Sequence, residues 1–279
     1  MLQPPEVQAS QPDELTLLWE LRRAAAKGEF RLAYQPVVDL RDERVVGVEA
    51  LLRWQHPTRG LVPPGAFLPF AERSGLIMGI GDWVLQEACR QASGWVDALE
   101  GARPLTMSVN VSGHQLAAGG GLVESVQRAL DQSGLAPANL TLEVMESALV
   151  RDAGAAVRAV HSLKDLGVRI AIDNVGTGHS LEESLKRFPV DLLKVDRSLV
   201  AALGATEQDT TVRTVVALAA TLGIEAVAEG IETRGQLATL QSFGCAFGQG
   251  YLWSPGRPAA DLGQSLFQAT VDRSARPSL

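Results

Sequence analysis

Acidic and amide side chains recur in this 279-residue chain at one kind of place, the end of a short apolar run. In ValValGlyValGluAlaLeuLeuArgTrp, residues 45–54, two-residue alternation puts Glu49, Leu51 and Arg53 on one face. MetSerValAsnValSer, 107–112, presents Ser108, Asn110 and Ser112, and LeuThrLeuGluValMetGlu, 140–146, presents Glu143 with Glu146 just past it. ArgIleAlaIleAspAsn, 169–174, ends in Asp173 and Asn174, and LeuLeuLysValAsp, 192–196, puts Lys194 and Asp196 on one face. AlaValAlaGluGlyIleGlu, 226–232, adds Glu229 and Glu232. Carboxylate and carboxamide oxygens are the donors that hard divalent cations prefer, and no Cys/His spacing in the chain suggests zinc.

Any one of these positions has a plainer explanation, because an acid at a strand end often caps the next helix or is simply solvated. For a single position that explanation is favoured by about two to one. The series changes the balance. Several carboxylates converging on one point repel one another and pay for desolvation unless cations compensate them. Two-metal hydrolysis of a phosphate ester is the chemistry such a set supports. Lys194 and Arg53 add fixed positive charge on the same side.

The elements that must position these residues alternate. Strand-like runs at 30–38, 44–54, 105–112, 139–146, 168–175, 191–196, 224–229 and 244–252 are separated, for the most part, by helical patterns at 77–98, 120–134, 152–166, 181–188, 206–223 and 233–242. An amphipathic helix over 13–28, ended by Gly28, precedes them. This rhythm predicts α/β architecture, a parallel sheet with helical crossovers, and eight strands suffice to close a (β/α)8 barrel whose active site lies at the C-terminal mouth. The first two strands are joined by a turn around residue 42, so one antiparallel strand is expected in a modified barrel. The Pro-rich residues 1–13 read as a linker or tail, 14–270 as one domain and 271–279 as a C-terminal tail.

Composition narrows the function classes. The net charge is −7, with 46% hydrophobic and 20% charged residues, and no Lys/Arg run suited to a nucleic-acid polymer. No apolar stretch reaches the length of a membrane span, and the N-terminus lacks a signal-peptide pattern, so a cytoplasmic protein is expected. Cys89 and Cys245 read as small buried hydrophobes. His56, His114, His161 and His179 carry no ligand spacing.

The ordered motifs resemble the EAL domain family over roughly 21–253. They are TyrGlnPro at 34–36, GluAlaLeu at 49–51, ArgGlyLeuValProPro at 59–64, SerValAsnValSer at 108–112, GlyThrGly at 176–178, LeuLysValAsp at 193–196, AlaGluGlyIleGluThr at 228–233 and GlnGlyTyrLeu at 249–252. The resemblance implies a modified TIM-like barrel that hydrolyses the bacterial second messenger cyclic di-GMP to linear pGpG with Mg²⁺ or Mn²⁺. It implies Glu49, Asn110, Glu143, Asp173 and Asn174 as metal ligands, Glu229 as general base, Lys194 as the group that positions water, and Glu146 as the acid steadying the loop after the Asp173 strand. Gln35, Leu51, Arg53, Asp196, Glu232 and Gln249 match nucleotide-contacting positions. Homodimer contacts and an upstream sensory or GGDEF domain are also implied.

One stretch departs. Where the family reads AspAspPheGlyThrGlyTyrSerSerLeu, residues 173–182 read AspAsnValGlyThrGlyHisSerLeuGlu. Asn174 supplies an amide oxygen without charge, which weakens the second of two metal sites. Losing a charged ligand lowers turnover more than ground-state binding. A slow phosphodiesterase is therefore the first expectation, and a catalytically degenerate cyclic di-GMP receptor the alternative.

Overall fold

Runs dense in Val, Ile, Leu and Ala are what strands covered on both faces require. The computed structural model describes residues 14–98, 105–151, 153–176 and 181–263. Its strands are β1 (Phe30–Asp39), β2 (Val45–His56), β3 (Gly60–Val62), β4 (Thr106–Val111), β5 (Leu140–Met145), β6 (Arg169–Val175), β7 (Leu192–Val195), β8 (Glu225–Ala228) and β9 (Phe247–Gly248). They pair in the order β1-β9-β8-β7-β6-β5-β4-β2-β3, and β1 also pairs with β2, which closes eight of them into a barrel. β1 runs antiparallel to both of its neighbours, and every pair from β2 and β4 through β9 is parallel. The expected single antiparallel strand is therefore β1. Its hairpin to β2 turns through Glu43, whose φ is +55°.

Helices fill the crossovers close to the expected bounds. They include Ile77–Ala98, Gly120–Ser133, Ala153–Asp165, Leu181–Arg187, Thr206–Leu222 and Arg234–Ser242, preceded by Glu14–Lys27. Gly28 ends that first helix at φ +61°, a conformation open to glycine at no steric cost. The main core lies between the helices and the outer barrel face. A second, small cluster of Ala171, Leu192 and Val227, with Val37 and Phe247 against it, occupies a separate position. Each of Ala171, Leu192 and Val227 lies two residues before Asp173, Lys194 or Glu229 on its strand, so alternation places apolar plug and polar residue on one face in successive layers.

Three expectations are corrected. The run 244–252 forms a ladder only at Phe247–Gly248. Beyond it the backbone turns to the segment after β8, with Ile231 donating to Gln249 O at 3.1 Å and Leu252 donating to Ile231 O at 2.9 Å. The short β3 extends the sheet beyond β2 and was not among the expected strands. The pattern at 152–166 is preceded by a separate helix, Glu146–Arg151.

Cys89 and Cys245 are free and buried, and burial pushes both thiols up to about 12. Among the described residues no helix is long and apolar enough to cross a membrane. The tails 1–13 and 271–279, residues 264–270, and Thr177, Gly178 and His179 of the divergent loop lie outside the described residues.

Candidate active site

Parallel strands in register bring their ends to one rim. Glu49 on β2 is level with Ser108 on β4, Asn110 with Glu143 on β5, and Met145 with Asp173 on β6. At the centre sits the Lys194 ammonium from β7. Its Nζ lies 2.5 Å from Glu143 Oε2, 2.6 Å from Glu229 Oε1 and 3.3 Å from Glu49 Oε2. Gln249, just past β9, donates from Nε2 to Glu49 Oε2 at 2.6 Å and to Glu229 Oε1 at 3.3 Å. Asn110 donates from Nδ2 to Glu49 Oε1 at 2.7 Å. Lys194, Glu143, Glu49 and Gln249 are each no more than 5% exposed.

Water is largely excluded, so the charges must satisfy one another. One ammonium faces the carboxyls of Glu49, Glu143 and Glu229, with Asp173 close enough to interact with all of them. Burial acts to raise the Glu49 carboxyl, but the attraction of Lys194 and hydrogen bonds from Gln249 and Asn110 hold it below its usual range. Glu143 is pushed well above its ordinary value, first by burial and then by repulsion from Glu49. Burial likewise raises Asp173, against the pull of Lys194. Glu229 is pushed up to about 7 by burial, with Asp173 and Glu49 adding to the shift and Lys194 opposing it. One lysine cannot neutralise this set.

That surplus of buried carboxyl groups, oxygen donors that a cation would let ionise together, fits a hard divalent cation. Among the described residues no three acidic, histidine or cysteine side chains stand preassembled as a cage. Lys194 takes the central position, and Asn110 spends an amide hydrogen on Glu49.

The end of β6 departs from a regular ladder. Its register with β7 shifts between Ile172 and Val175, so Asp173 and Asn174 occupy a bulge, a device that re-aims side chains beside active sites. Asn174 has φ +60°, in the left-handed region that Asn and Asp tolerate best among residues with a Cβ. Asp173 Oδ1 accepts the Asn174 backbone N–H at 2.8 Å. Gly176 follows at φ +100°, where an added Cβ would lie 2.6 Å from Leu199 Cδ1.

The other sequence-derived residues fall around this centre. Glu229, Gln249, Gln35 and Glu232 line one cavity. Gln35 also donates to Ser254 O at 3.2 Å. Leu51 lies against Gly256, and the half-buried Arg53 donates from Nη1 to Leu52 O at 2.8 Å, apart from the Lys194 cluster. Asp196 does what an acid at a strand end often does. Its Oδ1 caps the helix Arg197–Ala201 by accepting the Ser198 N–H at 2.7 Å. Glu146 is buried in the first turn of its helix, directly after β5. Besides Gly230 and Gly250, two cavity-lining residues, Arg197 and Tyr251, had been given no site role from the sequence, although Tyr251 lies in the GlnGlyTyrLeu motif. The signal available for them was only adjacency, Arg197 to Asp196 and Tyr251 to GlnGly at 249–250.

Comparison with known proteins agrees with this geometry. A family model described as EAL domain matches residues 19–256. The chain is 44% identical over 255 residues to the bifunctional diguanylate cyclase/cyclic di-GMP phosphodiesterase MucR of Pseudomonas aeruginosa, covering 91% of this chain and 37% of MucR. It is 41% identical to the cyclic di-GMP phosphodiesterase NbdA of the same organism, over 91% of this chain and 32% of that one. The chain thus spans about a third of the length of these curated relatives. Among solved structures, the MucR phosphodiesterase in complex with cyclic di-GMP superposes with a TM-score of 0.84 at 44% identity, covering 88% of this chain and 99% of that one. The EAL domain of FimX from P. aeruginosa, bound to cyclic di-GMP, gives 0.79 at 26% identity, with 89% and 98% covered. Fold, site and sequence match together establish that the chain belongs to the EAL domain family.

Proposed function

We propose that this domain hydrolyses cyclic di-GMP to linear pGpG with Mg²⁺ or Mn²⁺. The observation that carries the reading is the buried excess of carboxyl groups around Lys194, with Glu229 pushed up to about 7. Glu49, Asn110, Glu143 and Asp173 would hold the metal, with Asn174 a weaker, uncharged contributor to a second site. Bound there, the cations would make water more acidic and offset charge developing on the phosphate.

The chain's own residues account for the rest. Glu229 is basic enough near neutral pH to take a proton from the attacking water, whose oxygen bonds to phosphorus as the phosphorus–oxygen bond to one ribose breaks and the released ribose oxygen takes up a proton from solvent to become a hydroxyl. Lys194, 2.6 Å from Glu229, and Gln249, bonded to both Glu229 and Glu49, hold that base in place. Gln35, Leu51, Arg53, Asp196, Glu232 and Gln249 are the nucleotide contacts, and Glu146 supports the loop after β6.

A specific observation favours a second reading, a cyclic di-GMP receptor with little turnover: position 174 carries an amide in place of the family's carboxylate. The experiment is incubation of the purified protein with cyclic di-GMP and Mn²⁺ or Mg²⁺, following pGpG. Appearance of pGpG supports hydrolysis. Tight binding without product supports the receptor, and absence of binding refutes both. The setting we propose is cytoplasmic, with an upstream sensory or GGDEF segment and homodimerisation as regulatory inputs; size-exclusion chromatography checks the dimer.

A further inference from the structure

The end of the barrel away from the carboxyl cluster is hollow. A cavity of about 380 Å³ opens there, among the N-terminal ends of β4, β6, β7 and β8 and the adjoining parts of β1, β2 and β9. That volume lies within the range of small-molecule sites. Its apolar wall includes Val37, Leu192, Val227 and Phe247, which with Ala171 make up the small cluster that stands apart from the main core. Two positions away along the chain from these four lie Gln35, Lys194, Glu229 and Gln249. One apolar layer therefore separates the cavity from the mouth of the barrel, and none of the residues assigned to metal, base or nucleotide lines it.

The lip of this cavity carries one ion pair. Arg169 at the start of β6 donates from Nη2 to Glu225 Oε2 at the start of β8, across the intervening β7. The two side chains are 26% and 42% exposed, so they can turn to meet a guest. Their charges cancel, yet the guanidinium has five N–H donors and the carboxylate two acceptor oxygens, more than one bond uses. A carboxylate entering here would meet Glu225 as well as Arg169, and an ammonium would meet the reverse. A head group that is uncharged, and that both donates and accepts, satisfies the two partners together.

We infer that this cavity is a second ligand site, one that takes a small apolar molecule with an uncharged amide-like head and whose occupancy is felt at the carboxyl cluster. The apolar body fills the space against Val37, Leu192, Val227 and Phe247, while the amide carbonyl accepts from Arg169 and its N–H donates to Glu225. The coupling runs through the strands themselves. Leu192 and Val227 lie one step of alternation from Lys194 and Glu229, which meet at 2.6 Å, so a guest pressing on the apolar layer moves that contact. The ligand site stands without the proposed function; its coupling to the metal rests on it.

The test is an NMR titration of methyl-labelled protein, in EDTA, with hydrocinnamamide, hydrocinnamate and phenylpropylammonium, which share one skeleton. The amide is expected to bind about fivefold or more tighter than either charged relative, the scale of a polar group left unpaired. The largest shifts should fall on the methyls of Val37, Leu192 and Val227; largest shifts at Leu51 would place the compounds at the mouth and overturn the site, as would no binding of any of the three. Ala138→Trp, at an exposed position of the cavity wall, should abolish binding without lowering the melting temperature. Glu225→Gln should turn the preference to the carboxylate and Arg169→Gln to the ammonium, and a preference that neither variant moves overturns the choice of head group. Calorimetric titration with Mn²⁺ should then give an affinity that differs by about fivefold between empty and amide-saturated protein, with the same factor appearing in the amide affinity when Mn²⁺ is bound. Unchanged Mn²⁺ affinity overturns the coupling. Protein that binds the amide but no Mn²⁺ removes the metal reading of the proposed function, and the coupling with it, while the ligand site stands.

Discussion

Replacing Lys194 by methionine keeps most of the side-chain volume and removes the one ammonium from the carboxyl cluster. Lys194 meets Glu143 at 2.5 Å, Glu229 at 2.6 Å and Glu49 at 3.3 Å. At an effective dielectric of about 20, each contact near 3 Å carries roughly 5 kcal/mol of Coulomb attraction, and dehydrating the ammonium offsets much of the sum. Leaving the partners buried and unpaired costs about 3–5 kcal/mol. The carboxyls can escape part of that loss by taking up protons, and Glu143 and Glu229 are already pushed towards doing so. The cost must therefore be larger at pH 8 than at pH 5.5. Urea unfolding in EDTA at the two pH values measures it, with the slope checked for constancy so that midpoints report stability. Mn²⁺ should rescue Lys194→Met more than it stabilises wild type, because no ammonium competes for the oxygens; about 2.7 kcal/mol is expected at a hundredfold excess over the dissociation constant. A variant as stable as wild type at pH 8 would refute the reasoning. Equal losses at both pH values would show that packing, not charge, was removed.

In the metal-free protein, Glu229 holds its proton to about pH 7, against 4.5 for the ordinary carboxyl. Its contribution to stability is complete below 4.5 and is lost as the pH rises through about 7, so the thermal midpoint should fall across that window and Glu229→Gln should flatten the slope. Asn174→Asp is expected to raise Mn²⁺ affinity and turnover without loss of stability, because Asp tolerates the φ of +60° at that bulge; unchanged Mn²⁺ affinity by calorimetry would count against a charge defect at the second site. Glu49→Ala, which removes the acceptor for Lys194, Gln249 and Asn110, should abolish pGpG formation, and surviving hydrolysis would displace the site assignment. Gly250→Ala places a Cβ 2.0 Å from Ile231 O, a backbone atom that cannot swing aside, so a loss of about 1–3 kcal/mol and weaker nucleotide binding are expected. Gly65→Ala, with nothing within 4 Å, should leave the melting temperature unmoved.

Much of the architecture was legible because a barrel makes strong demands on sequence. Strands covered on both faces need near-continuous Val, Ile and Leu, and crossover helices need an apolar stripe, so β5, β6 and β8 and the helices Gly120–Ser133 and Arg234–Ser242 announced themselves. The polar residues at strand ends were legible for the same reason, since Glu143 or Lys194 amid apolar neighbours needs a partner. β9 was overread. Its apolar run extends past Gly248, but hydrogen bonding to Ile231 draws the backbone off the ladder, and no local pattern encodes that contact. Asp196 looked like the other strand-end acids, yet its carboxylate caps a helix, a distinction that rests on which N–H lies nearest.

By itself, then, the sequence determined the alternation of strand and helix and the strands that carry acids, because both follow from residue type and periodicity along the chain, while the missing charge at Asn174 was visible through the resemblance to the EAL domain family. Only the tertiary structure decided that Lys194 stands among three carboxylates, that Asn174 sits in a left-handed bulge, and that Arg197 and Tyr251 share a cavity wall with Glu229. Barrel closure and strand register bring together residues more than a hundred positions apart, such as Glu49 and Lys194, and charge compensation depends on distances that no spacing along the chain encodes.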